Sequence, residues 1–404
     1  MQAAEPLILR NAKLLDPRAG TLDGPRDVIV ADGRIAGDGA SPPAGTAEID
    51  LKGLTLMPGL CDAHVHVIAS TASFPQLLTW SPLYTGARAA ELLRAMLDRG
   101  FTTVRDCGGA DFGLARAVEE GLVEGPRILY VGHAISQTGG HGDMRGPGED
   151  WDQCCCCAGL GVIADGVAAV RRACREEIRK GADFIKIMAS GGVSSPTDRI
   201  SSTQFAEEEI AAAVEEAEAA ELYVAAHLYT ARAANRALRL GVRSVEHGNL
   251  IDGESFDLLK ANGAFLVPTL STYRALAAEG VAAGVPADMV AKVDEVLEAG
   301  VETAARAHAA GVKMAFGTDL LGAMQRHQLG EFAIRGAFQT PAETIRAATV
   351  TAAELFGEVG ETGEIVEGAR ADVIALAGNP LEDIGVLQDP ARHLKLVVKG
   401  GAGV

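Results

Sequence analysis

Between residues 60 and 319 the chain alternates eight short β runs with longer helical stretches, a cadence that restricts it to folds of parallel strands joined by crossover helices. The runs are LCDAHVHV (60–67), FTTVRDC (101–107), RILYVGHAI (127–135), FIKIMAS (184–190), LYVAAHLY (222–229), SVEHG (244–248), AFLVPTL (264–270) and KMAFGTD (313–319). Between them stand helical patterns such as ARAAELLRAMLDRG, DGVAAVRRACREEIRKGA and AEEEIAAAVEEAEAA, closing on Gly or small residues. Eight such units predict an α/β fold, a (β/α)8 TIM barrel whose active site opens at the C-terminal ends of the strands.

The two ends of the chain differ from this middle and resemble each other. Residues 6–56 (LILRNAKLLDP, DVIVADGRIAG, AEIDLKGLTL) and 363–400 (GEIVEGARADVIALAGNP, HLKLVVKGG) read as short strands separated by Gly, Pro and Asp turn signals. Neither end is long enough for a core of its own. The expectation is a composite β-sandwich from residues 1–57 plus 362–404, closing around a barrel at 58–361.

Charge and composition exclude whole classes of partner. With 36 Lys and Arg against 54 Asp and Glu, the net charge of −18 repels phosphate backbones and anionic lipid, and a 4% aromatic fraction offers few stacking surfaces. Neither nucleic acid nor membrane is expected. No apolar run approaches a membrane span, and the opening MQAAEPLILRN lacks the regions of a signal peptide. A cytoplasmic enzyme is expected, or a periplasmic or secreted one if a leader has been removed. Of seven cysteines, the run Cys154–Cys157 does not form a spaced disulfide framework and reads as a loop of partly buried thiols, while Cys61, Cys107 and Cys174 read as core.

Polar residues able to bind metal recur at the ends of these apolar strands. His64 and His66 share a face of the first strand, because side chains i and i+2 point the same way. Lys186 stands on the fourth strand, His227 on the fifth, His247 on the sixth and Asp319 on the eighth. Singly, His227 or His247 could be a hydrogen-bonded core histidine; together, six such residues at one barrel mouth point to a metal centre. Lys186 shares a face with Phe184 and Met188, where a lone ammonium carries a desolvation cost of several kcal/mol. Either a barrel carboxylate such as Asp319 neutralises it, or its amine reacts with CO2 to give a carbamate, an anionic ligand able to bridge two metal ions.

This set of HxH, Lys, His, His and Asp on successive strands resembles the amidohydrolase superfamily, in particular its binuclear branch with a carboxylated lysine. The resemblance covers essentially the whole chain. It implies that His64, His66 and Asp319 hold a buried metal, that His227 and His247 hold a more exposed one, and that carboxylated Lys186 bridges them. Zinc is the default ion. The stretches QTGGHGD (137–143), KIMASGGVSSPTD (186–198), HLY (227–229) and FGTD (316–319) resemble the Xaa-Pro dipeptidase and ochratoxin-hydrolysing group. That group releases a C-terminal residue from an N-acyl amino acid.

By this resemblance Tyr229 polarises the scissile carbonyl and His141 contacts the substrate carboxylate. Asp319 takes a proton from a metal-bridging hydroxide and passes it to the leaving amine. The loops at 68–86 (with Trp80 and Tyr84), 136–163 and 190–205 are expected to select substrate, with Arg199 and Arg274 as further candidates to reach an anionic group. The expected partners are a small N-acyl amino acid or dipeptide, ochratoxin A included, and a second copy of the chain in a homo-oligomer. Two other readings stay open at this point: a cyclic amidase or lactamase on the same barrel, and a non-catalytic scaffold.

Overall fold

The apolar runs fold as short parallel strands covered on both faces, which is why they read as continuous hydrophobic stretches rather than alternating ones. In the computed structural model, which describes residues 5–37, 41–43, 45–150 and 159–403, every residue of Leu60–Val65, Phe101–Asp106 and Ile185–Met188 is buried. These strands belong to two parallel sheets. One joins Leu60–Val65, Phe101–Asp106 and Arg127–Tyr130. The other runs, in order, through Gly161–Ile163, Ala134–Ser136, Ile185–Met188, Val224–Thr230, Ser244–Leu250, Phe265–Val267 and Lys313–Met314.

Two links carry one sheet into the other. On one side the chain itself passes from Arg127–Tyr130 into Ala134–Ser136. On the other, the Ala63 amide donates to Phe316 O at 2.7 Å and the Asp319 amide donates to His64 O at 2.8 Å. The strand expected at 127–135 is therefore two strands in different sheets. Its break falls at Gly132, which has φ +77° and packs so closely on Glu177 that a Cβ would stand 2.1 Å from Oε2. The strand expected at 313–319 pairs only over Lys313–Met314; beyond it the backbone turns to bring Asp319 to the cavity at φ 52°. Gly161–Ile163, inside a stretch read as loop, is a strand missing from the sequence reading.

Helices pack on the outer faces of the sheets. Val167–Arg179 and Glu207–Ala219 interlock through Val170 and Cys174 against Ile210, Ala213, Val214 and Ala217, over the strand residues Ile185 and Ile187. Truncating a buried residue such as Ile210 to Ala would cost about 2–5 kcal/mol. Thr230 closes its strand and caps the next helix, its hydroxyl accepting from the Ala233 amide, so the strand bearing His227 and Tyr229 ends at a fixed point.

Both chain ends enter one mixed eight-stranded sheet among the described residues. Its seam is Thr55–Pro58 from the N-terminal part, antiparallel to Val373–Leu376 from the C-terminal part, and its core includes Leu9, Val30, Leu56, Val373 and Val398. Strands from the two ends thus pair directly in this sheet. Cys61, Cys107 and Cys174 are free and buried, as read from their strands and helix. The run Cys154–Cys157 lies outside the described residues. Among the described residues, no helix is long and apolar enough to cross a membrane.

Candidate metal centre

At the C-terminal ends of the parallel strands lies a cavity of about 450 Å³, and His64, His66, Lys186, His227, His247 and Asp319 all line it. Asp319 Oδ1 stands 3.2 Å from His66 Nε2 and 3.5 Å from His64 Nε2, and Oδ2 is 4.0 Å from His247 Nδ1. Donor atoms of His64, His66 and Asp319 lie within 4.8 Å of one another, a spacing that one cation can span. The His227 and His247 rings follow beside them, 4.6 Å apart and edge-on, with His247 5.0 Å from His64.

Hydrogen bonds on the far side of each ring decide which nitrogen faces the cavity. His64 Nδ1 is 2.7 Å from Glu246, His66 Nδ1 is 2.8 Å from Gly108 O, and His247 Nδ1 is 2.8 Å from the Thr269 hydroxyl, leaving all three Nε2 atoms available. His227 is reversed. Its Nε2 donates to Gly191 O at 3.2 Å, so Nδ1 is its free donor atom. Behind His64, Glu246 also accepts from Arg105 at 2.7 Å and from Ser244, in a charged chain with no exposed surface.

Burial drives the electrostatics. It lowers His64 and His227 well below the ordinary imidazole range, with Lys186 adding to it at His64 and His141 at His227, and it lowers His247 to about 3. These rings stay neutral, the form in which imidazole binds metal. At His66 the same burial is outweighed by the hydrogen bond and charge of Asp319, and its pKa is raised. Burial also pushes the Asp319 carboxyl up, but His64, His66 and His247 together hold it far below the ordinary carboxylate range. The donor set, three carboxylate-facing imidazoles among neutral nitrogens, fits a divalent cation.

Lys186 is 1% exposed, and no carboxylate among the described residues lies within ion-pair distance of it. The pairing with Asp319 that the sequence left open is not formed; that carboxylate faces the three imidazoles instead. His247, Thr269 and Asp319 end the sixth, seventh and eighth strand runs at φ 73°, 48° and 52°, left-handed values that non-glycine residues rarely adopt. Three of the eight such residues among those described stand here.

Tyr229 and His141 both border the cavity. Tyr229 stacks on His247, with its hydroxyl 2.9 Å from that of Tyr273, and burial raises its phenol pKa, keeping it protonated. His141 stacks on His227 at 4.0 Å, and its Nδ1 lies 3.0 Å from Ser195 Oγ and 3.5 Å from Asp198. Gly192 permits this stack, because a Cβ there would come within 2.3 Å of His141 Cε1 and 2.7 Å of His227 Nε2. The Lys292 ammonium fixes the same loop from outside, donating to Ser195 O and Asp198 O at 3.0 Å and Gly192 O at 3.3 Å.

Arg199 is a correction. It projects from the 190–205 loop into solvent and does not line the cavity, since the inward positions of that loop are taken by Val193, Ser194 and the buried Asp198. Arg274 is likewise exposed. From the 68–86 loop the cavity takes Phe74, Leu77 and Leu78, whereas Trp80 and Tyr84 stack edge-on with each other outside it. Sequence reading missed Asp62, Glu246, Thr269, Tyr273, Asp198 and Lys292. For Asp62 and Glu246 the signal was there: each is a carboxylate inside an apolar strand run, beside a ligand already chosen.

Comparison with known proteins gives consistent relatives. The description "Amidohydrolase family" matches residues 55–402. An ochratoxinase of Aspergillus niger is 37% identical over 367 residues, covering 86% of this chain and 75% of its own. Among solved structures, a prolidase complexed with N-methylphosphonate-L-proline superposes with a TM-score of 0.96 at 48% identity, covering 99% of both chains. A Xaa-Pro dipeptidase with methionine bound in its active site gives 0.89 at 30% identity, covering 99% of this chain and 100% of its own.

Proposed function

The chain belongs to the amidohydrolase family and is a hydrolase of amide bonds; on that premise we propose that it releases a C-terminal amino acid from a dipeptide or N-acyl amino acid. Xaa-Pro dipeptides and ochratoxin A are the first candidates, from the names of its relatives. The observation that carries the reading is the gathering of six ligand-type side chains with Tyr229 and His141 on one cavity. The architecture proposed for it is a closed (β/α)8 barrel at 58–361, with a β-sandwich from 1–57 plus 362–404.

In this reading His64, His66 and Asp319 would hold one divalent ion, zinc by default, and His227 and His247 a second, with Lys186, once carboxylated, as a further anionic ligand. An unpaired buried lysine is the favourable precursor, since carboxylation turns a costly cation into an anion facing cations. Bound divalent ions would lower the pKa of water so that hydroxide is present near neutral pH, and would act as Lewis acids.

The chain's own groups do the rest. Asp319, held ionised by its imidazoles, accepts the proton of the attacking water and delivers it to the leaving amine nitrogen. Tyr229, held protonated, donates to the scissile carbonyl oxygen as negative charge develops there. His141, oriented by Ser195 and Asp198, meets the carboxylate of the leaving residue. Apolar residues including Phe74, Leu77, Met144, Met188 and Leu276 wall the remaining space and suit an apolar acyl group.

The test is a hydrolysis screen over Xaa-Pro dipeptides, other N-acyl amino acids, ochratoxin A and cyclic amides, with metal content measured on the same preparation. Turnover confined to cyclic amides would replace this reading with the cyclic-amidase one.

A further inference from the structure

The His64 ring has two nitrogens, and each faces atoms able to bind metal. On the cavity side Nε2 stands with Asp319 and His66. On the other side Nδ1 is 2.7 Å from Glu246, and donor atoms of His64, Cys107 and Glu246 also lie within 4.8 Å of one another, all three residues being buried. Spacing alone does not decide which side of the ring takes a cation.

Arg105 settles the choice. Its fully buried side chain crosses from the three-stranded parallel sheet to the seven-stranded one, where Glu246 stands on Ser244–Leu250. Nη2 donates to Glu246 Oε1 at 2.7 Å, and Nε donates at 2.6 Å to the carbonyl of Ala63, the residue before His64. Nη1 reaches the Tyr223 hydroxyl at 3.3 Å, and the guanidinium lies 5.0 Å from the centre of the Phe184 ring.

A guanidinium keeps its charge inside a protein, so the carboxylate that could attract an ion to this side already has a permanent cation. A divalent ion among His64, Cys107 and Glu246 would stand against that charge with no water to screen it. Oε1 of Glu246 is taken by Arg105 and the Ser244 hydroxyl, which leaves Oε2 to accept the His64 Nδ1 proton. An imidazole that donates at Nδ1 carries its lone pair at Nε2.

We infer that Arg105 is a positioning residue of the metal centre: through Glu246 and the Ala63 carbonyl it fixes the His64 ring and confines metal binding to Nε2. Because Glu246 precedes His247 on its strand, one internal cation braces two ligand-bearing strands that lie in different sheets. The inference rests on the ligand role proposed for His64.

The experiment uses the full-length protein loaded with cobalt(II), with Arg105→Met, Arg105→Lys, Glu246→Gln and Cys107→Ser. In the unsubstituted protein Cys107 should give no thiolate-to-cobalt charge-transfer band, and the His64 Nδ1 proton should give a paramagnetically shifted resonance that exchanges slowly with solvent. Arg105→Met and Glu246→Gln should weaken metal affinity about 10- to 100-fold in chelator competition, and the slowly exchanging resonance should disappear. Glu246→Gln turns an amide NH2 towards either Arg105 or His64, both of them donors, and serves if Arg105→Met does not fold. Arg105→Lys restores the charge without the fork and should recover part of the affinity. A charge-transfer band abolished by Cys107→Ser would put the ion on the other side of the ring and overturn the inference. Unchanged affinity and proton exchange in both Arg105→Met and Glu246→Gln would overturn it too. If the unsubstituted protein binds no divalent ion, the ligand role of His64 fails first and the inference with it; tight binding that none of these variants alters sinks the inference alone.

Discussion

The Thr318 hydroxyl donates a 2.6 Å hydrogen bond to Asp62, and through this contact the strand that carries His64 and His66 is tied to the segment that carries Asp319. The same carboxylate accepts from the amides of Thr318 and His64, each at 3.1 Å, and from Gln328 at 2.9 Å. Burial pushes its pKa up to about 6 in spite of these donors. Asp62 therefore sets the distance between the paired histidines and the Asp319 carboxylate that faces them.

Replacing Asp62 by Ala strands those donors in the interior, each worth about 1–3 kcal/mol. A lower Tm is expected, together with a metal affinity weakened by about 10- to 100-fold. Chelator competition and thermal unfolding measure the two effects; unchanged affinity would remove Asp62 as a support of the centre.

Asp319→Asn should keep most of its metal while kcat falls by about 10² to 10⁴, because the amide still offers an oxygen but accepts no proton. Full turnover would rule out Asp319 as the proton carrier.

For Lys186→Ala, the stoichiometry should drop from two metals towards one, and activity with it. Two metals bound at full activity would leave the carbamate with no role.

Gly192→Ala forces a methyl group into the His141–His227 stack, where contacts would be 2.3 and 2.7 Å. Displacing these rings by an ångström predicts a loss of about 10² in kcat/KM. Because Gly192 is buried against both rings, a lower Tm is expected as well; wild-type kinetics would show that the stack is dispensable.

Lys292→Met removes the ammonium from three backbone carbonyls of the loop that orients His141. Faster amide exchange over residues 191–199 is expected, with kcat/KM down by about tenfold, metal content unchanged and partial recovery in Lys292→Arg. Unaltered exchange would mean that the loop holds itself.

How much of this could be read from the sequence depends on the range of each interaction. That His64, His66, Lys186, His227, His247 and Asp319 would share one cavity was legible because each is an ionisable group inside an apolar strand, where only a site or a buried pair explains it. The eight-unit cadence was legible for the same local reason, although Gly132 splits one strand and Asp319 ends another early. Lys292, Thr269 and Tyr273 were not legible. A lysine in a helical excursion reads as solvated, and its role arises only when that excursion folds against a loop about 100 positions earlier. Arg199 erred in the opposite sense: a cation next to a conspicuous motif invites a role, but its side chain is left in water while Asp198 beside it turns inward.

The seam between Thr55–Pro58 and Val373–Leu376 sets an order of events on the ribosome. The Thr55 hydroxyl donates to Gly378 O across 323 positions of sequence, so the strand entering the first βα unit, which pairs early with Leu7–Asp16, gains its second neighbour only when nearly all of the chain has been made. Leu60–Val65 finds Phe101–Asp106 early, but one edge of the strand leading into it stays open until synthesis is almost over. A stop codon or truncation a few dozen residues from the C-terminus would spare every proposed metal ligand and still leave that edge of the sheet bare.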